Sequence, residues 1–213
     1  MYAQNTELMA FPILNKPIGY DLEKADWVPP YGDGIISDFI FEFKSFHDKE
    51  SKERIKPWEV SFNLRFSNKH DGIQEYKLTD ADKKSDYIWP YQAPQKGYES
   101  NLYKYISYNM DGRNKITTNI KYNGNQGKTK DDQAYYLFRV RTKVDSSGNI
   151  ISGNYGKILN DFSLGKKIKF TYYFNPSGTR NLEFAPDKNL FTWPISGTKG
   201  RVYYHDRIRG LNP

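Results

Sequence analysis

Four stretches of this chain alternate apolar and polar side chains with a period of two, and that leaves little choice of fold. Val60, Phe62, Leu64 and Phe66 face one way while Glu59, Ser61, Asn63 and Arg65 face the other. Tyr136, Phe138, Val140, Thr142 and Val144 alternate likewise with Tyr135, Leu137, Arg139, Arg141 and Lys143. Ile168, Phe170, Tyr172 and Phe174 do so with Lys169, Thr171 and Tyr173, and Phe39, Phe41 and Phe43 with Ile40, Glu42 and Lys44. Successive side chains of an extended strand point to opposite faces, so each stretch predicts a strand with one face buried.

Turn chemistry separates these segments. Residues 67–72 end in Asp71-Gly72, which suits a positive-φ turn, and predict a hairpin whose second arm is 73–78. Residues 145–149 close another, returning over 150–159, where Gly153 and Gly156 point to a bulge or a close approach by another segment. Further strands are expected over 101–110, 115–122 and 201–208. Residues 1–34 carry Pro12, Pro17, Pro29 and Pro30, and proline lacks the backbone donor, so this part should be loop and edge strand. The helix-like windows, 48–55 and 79–86, are charged and have no apolar stripe, which allows at most short surface helices. The expected fold is all-β, an antiparallel β-sandwich or jelly roll with long loops, forming one domain over 1–213 with a weak possible boundary at 123–133. The aromatic content of 16% supplies a core built from strand-forming residues.

Several chemistries are excluded or disfavoured. Without cysteine there is no disulfide, no thiolate nucleophile and no cysteine-bound metal. His47, His70 and His205 lie far apart in turn-like stretches with no local pairing for a metal. There is no Gly-x-Ser-x-Gly elbow and no phosphate-binding glycine loop, and no cofactor is expected. Residues 145–150 resemble a calcium loop at first glance, but the glycine comes fourth and no glutamate closes it, so a hairpin turn is the reading. The net charge of +7 is consistent with an acidic polysaccharide or nucleic acid as partner. Acidic and basic residues are interspersed, however, as over 48–54 and 80–86, which describes a solvated surface and argues against nucleic acid. No apolar run reaches the ~18–20 residues that cross a bilayer. Residues 1–6 have neither the basic nor the apolar region of an export signal. The composition nevertheless favours an extracytoplasmic protein, in the periplasm or at the cell surface, with a signal segment or lipid anchor lying outside this chain.

Two candidate sites remain. Glu42 and Glu59 occupy outward strand positions, and on neighbouring strands they would share a face as paired carboxylates of a glycan-processing enzyme must. The alternative is that they are solvent-facing and pair with Lys44 and Arg65. The second candidate is aromatic. Residues 79–105 hold Tyr87, Trp89, Tyr91, Tyr98, Tyr103 and Tyr105 among Asp86, Gln92, Gln95 and Asn101, and two prolines, Pro90 and Pro94, break the segment. Flat rings beside hydrogen-bonding groups suit sugars. Tyr87, Trp89, Tyr91 and Tyr98, with Trp27 and Tyr31 beside the double proline, are the candidate ligand-binding residues. The competing reading makes these rings core, or a seal of the loop against the sandwich.

The string Tyr135–Val144, the turn 145–149, residues 154–158, residues 169–176 and 180–184, and Asn189-Leu190-Phe191 together resemble the C-terminal region of secreted or lipid-anchored envelope proteins of Bacteroidetes, a group without an assigned activity. The resemblance covers about residues 135–191. It implies export and a β architecture and carries over no catalytic residue. The combined expectation is a non-catalytic envelope protein that binds a glycan or a partner protein. The alternatives are an adhesion or assembly module acting through strand pairing, and a glycan-processing enzyme.

Overall fold

The computed structural model describes residues 2–5, 9–47, 49–50, 52, 58–77, 90–108, 116–117, 135–159, 162 and 165–183. Among these there is no helix. The strands are β1 (Tyr2–Asn5), β2 (Met9–Ala10), β3 (Ile18–Asp21), β4 (Asp26–Trp27), β5 (Phe39–His47), β6 (Trp58–Arg65) and β7 (Gly72–Tyr76), then β8 (Asn101–Tyr108), β9 (Ile116–Thr117), β10 (Tyr135–Val144), β11 (Ile150–Leu159), β12 (Lys167–Ile168) and β13 (Thr171–Asn175). They form a five-stranded sheet in the order β1-β13-β11-β10-β7, a six-stranded sheet in the order β4-β3-β5-β6-β8-β9, and a two-stranded ribbon of β2 with β12. Every pairing is antiparallel, and the fold is an all-β sandwich.

The alternating positions meet between the two larger sheets. Phe39, Phe41, Phe43, Phe62 and Leu64 come from one side, and Tyr136, Phe138, Val140, Ile158, Tyr172 and Phe174 from the other. Phe39 and Phe138 touch across the gap edge to face, with centroids 5.2 Å apart. Phe41 lies at the centre, with Tyr20, Trp27, Phe39, Phe62, Phe162 and Phe170 around it. Each such ring pair contributes about 0.5–1.5 kcal/mol beyond the burial of its area.

Two expectations need correction. Residues 67–72 do not close a hairpin: β6 lies in the six-stranded sheet and β7 in the five-stranded one, so the turn carries the chain across the sandwich. The edge of β6 is taken instead by β8, over residues 58–65 against 101–108. Asp71 turns towards β10, where its carboxylate accepts the backbone N–H groups of Arg141 (3.0 Å) and Thr142 (2.9 Å). Gly72 serves close approach and not a positive φ, since a Cβ there would stand 2.7 Å from the Glu99 carbonyl oxygen. The second correction concerns residues 1–34, which are more than loop and edge. β3 is an interior strand between β4 and β5, buried along its whole length.

The hairpin of β10 and β11 forms as expected. Asp145 Oδ1 accepts the N–H groups of Ser147 and Asn149, its Oδ2 accepts the Asn149 side-chain amide, and Gly148 takes φ +83°. The turn thus uses its own donors on the carboxylate that a calcium ion would have needed. Gly156 is the close approach: a Cβ would lie 2.0 Å from Phe138 Cζ and 2.4 Å from the Tyr173 carbonyl oxygen. The bulge falls opposite, between Val140 and Lys143. The boundary at 123–133, the window 79–86 and the strand 201–208 lie outside the described residues.

Candidate functional site

The second half of the aromatic insertion closes the outer face of the five-stranded sheet. On that face the register aligns Leu137, Lys157 and Tyr173, and all three are buried. Residues 90–99 and 179–183 cover them. Ala93 N–H donates to the Arg180 carbonyl and Leu182 N–H to the Tyr91 carbonyl. Lys157 Nζ donates to the Leu182 carbonyl at 3.0 Å and lies 4.9 Å from the Tyr173 ring centre. Arg139 anchors the other end. Its guanidinium donates to the carbonyls of His70 and Gln95 and stacks 4.7 Å from the Tyr98 ring centre.

These contacts sort the candidate residues. Tyr98 is half-buried, its hydroxyl donates to the Pro94 carbonyl, and burial pushes its pKa up, so it seals the loop against the sandwich. Trp27 is a core residue and not part of a surface platform, because its pairing with Tyr20 across β3 and β4 turns its indole onto Phe11, Tyr20 and Phe41. Tyr91 and Tyr31 are exposed, on different loops. Tyr87 and Trp89 lie outside the described residues. The six therefore do not form one described platform.

The outer face of the six-stranded sheet is the better assembled surface. Cross-strand register sets Ile40, Arg65 and Asn101 in one row, Glu42, Asn63 and Tyr103 in the next, and Lys44, Ser61 and Tyr105 in a third. Tyr103 is half exposed, Tyr105 is partly buried, and Lys44 pairs with Glu42 at 3.1 Å. Neighbouring strands are about 4.8 Å apart and alternate residues about 7 Å along a strand. The nine positions thus cover a patch of roughly 10 by 14 Å, the footprint of two sugar rings. One flank is raised, because a Cβ on Gly19, in register with Ile40, would meet Ser37 Oγ and Val28 Cγ2. The loop that bears Tyr31 folds over β3 there. Tyr103 and Tyr105 are not among the six candidate residues above; the signal for them is the alternation of Asn101, Tyr103 and Tyr105 along β8.

Glu42 and Glu59 do share this face, yet Glu42 stands opposite Asn63 and Glu59 opposite Phe46, four residues further on. That offset is about 14 Å along the strands, too long for the ~5–10 Å that paired glycosidase carboxylates need.

At one end of the sandwich, acidic residues converge on Arg141, whose φ of +55° at the bulge aims its side chain at the 21–38 loop. Asp38 binds it at 2.8 and 2.9 Å, Glu23 at 2.6 Å and Asp21 at 3.2 Å. Burial pushes the pKa of Asp38 up and outweighs the pull of Arg141. Burial pushes Asp21 up too, but the N–H groups of Ile36, Lys24, Ile35 and Glu23 hold it below its ordinary value. With a guanidinium at their centre these carboxylates form a structural joint, and no group of three or more metal-ligating side chains occurs among the described residues. Compared with protein families, characterised proteins and solved structures, the chain matches none.

Proposed function

We propose that this protein is a non-catalytic binding module of the cell envelope, which takes a glycan on the outer face of its six-stranded sheet. The observation that carries this reading is the row Glu42–Asn63–Tyr103, a half-exposed ring beside two hydrogen-bonding side chains on adjacent strands. A ring of this kind stacks on the apolar face of a pyranose, while the neighbouring carboxylate holds its hydroxyls. The extracytoplasmic part of the proposal rests on the resemblance over 135–191. Affinity electrophoresis through gels containing soluble polysaccharides tests the binding. Wild-type protein is retarded by at least one of them and the Tyr103→Ala variant is not; free migration in every gel refutes the proposal.

A second reading, an assembly or adhesion module, is favoured by the tip of the β10–β11 hairpin. Ile150 and Ile151 point to opposite faces of their strand, and both are exposed. β13 pairs with β11 only from Tyr155 onwards, so this arm extends beyond its neighbour. Sedimentation at rising concentration separates the readings, since a strict monomer counts against self-assembly.

A further inference from the structure

We propose that the glycan is acidic, a uronic-acid polysaccharide whose carboxylate pairs with Arg65; this rests on the reading of the sheet face as a sugar site. Arg65 is exposed at an outward position of β6 and sits diagonally next to Tyr103, which faces Asn63 two residues along. Diagonal neighbours on one face lie about 7–8 Å apart. A sugar stacked on Tyr103 therefore brings its own carboxylate, or that of the next residue, within reach of a long arginine side chain.

Charge on the face sets Arg65 apart even though Glu42 is its diagonal neighbour across β5, because that carboxylate is held by Lys44. Among the described residues Arg65 makes neither an ion pair nor a side-chain hydrogen bond, whereas Lys44 is neutralised by Glu42 at 3.1 Å. Glu59 shares the strand but lies six residues away, about 20 Å, roughly two Debye lengths at 0.1 M salt. Glu99 lies outside β8, where its backbone pairs with Ile73 of β7. Guanidinium forms a two-pronged, charge-assisted pair with carboxylate, and Asn101, opposite Arg65 in register, adds an amide to hold a hydroxyl. The overall charge of +7 favours the approach of a polyanion.

The test is affinity electrophoresis and titration with polygalacturonate, alginate and fully methyl-esterified polygalacturonate, whose backbone is that of the acid without its charge. The wild-type protein is expected to bind one of the acids about ten-fold or more tightly than the ester, with affinity falling as salt rises. Arg65→Gln should remove that preference, Arg65→Lys keep part of it, and Glu59→Gln leave it unchanged, with melting curves confirming that all are folded. Equal binding of acid and ester, or an acid preference that survives Arg65→Gln, overturns the inference and leaves the sugar site standing. Failure of these probes together with every neutral polysaccharide overturns the site itself.

Discussion

Arg141 and Asp38 form a two-pronged pair, Nε to Oδ1 at 2.8 Å and a terminal guanidinium nitrogen to Oδ2 at 2.9 Å, between residues 103 positions apart in sequence. Asp38 is only 1% exposed, so removing its partner leaves a buried charge uncompensated. Arg141→Ala is expected to cost about 3–5 kcal/mol in urea unfolding. Arg141→Gly should be milder by about 1 kcal/mol, because glycine adopts the positive φ of this position without strain.

Acid should act on this joint in two stages. Asp38 and Asp71 are both pushed up by burial, so in the window between their raised values and the ordinary carboxylate value they take up protons more readily folded than unfolded, and stability rises as pH falls. Asp21 is held below its ordinary value, so the stability it contributes is full above that value and is lost as pH falls below it. Asp21→Asn should therefore lose stability at pH 7 and show a flatter decline below about pH 4 than the wild type. Urea midpoints between pH 7 and pH 2.5 check this, with Glu23 and Arg141 kept in place.

Gly156 marks the tightest packing in the hairpin. Gly156→Ala should destabilise the protein by about 3 kcal/mol, since its Cβ would press on the Phe138 ring and the Tyr173 carbonyl. Gly148→Ala, at the turn, meets nothing within 4 Å and bears only the strain of φ +83°, about 1–2 kcal/mol. Thermal unfolding of the two variants ranks them.

How far the sequence disclosed this structure depends on the range over which each feature is decided. The strands of Phe39–Phe43, Val60–Phe66 and Tyr136–Val144 were legible because a period of two is local. That both faces of β10 are buried was not, since the cover comes from residues 90–99 and 179–183. The turn at 67–72 looked like a hairpin because its composition is that of a turn, yet the choice of sheet is made by Asp71 against N–H groups some 70 residues away. Trp27 looked like a surface ring beside two prolines, and only its register with Tyr20 puts it in the core. The same limit applies to the candidate site: the alternation around Tyr103 could be seen, but its alignment with Asn63 and Glu42 belongs to the topology.

Arg139 should act as the anchor of residues 90–99. Arg139→Ala removes its bonds to His70 and Gln95 and the stack on Tyr98. Limited proteolysis should then cut within 90–99 several times faster than in the wild type.

Hydroxyl-radical footprinting of Tyr103 tests the sugar face most directly, because Tyr91, 64% exposed against 50% for Tyr103, serves as an internal control in the same molecule. With a retarding polysaccharide at saturation, oxidation of Tyr103 is predicted to fall several-fold while that of Tyr91 is unchanged. Protection of Tyr91 with Tyr103 still fully reactive would contradict the assignment of the site to the six-stranded sheet.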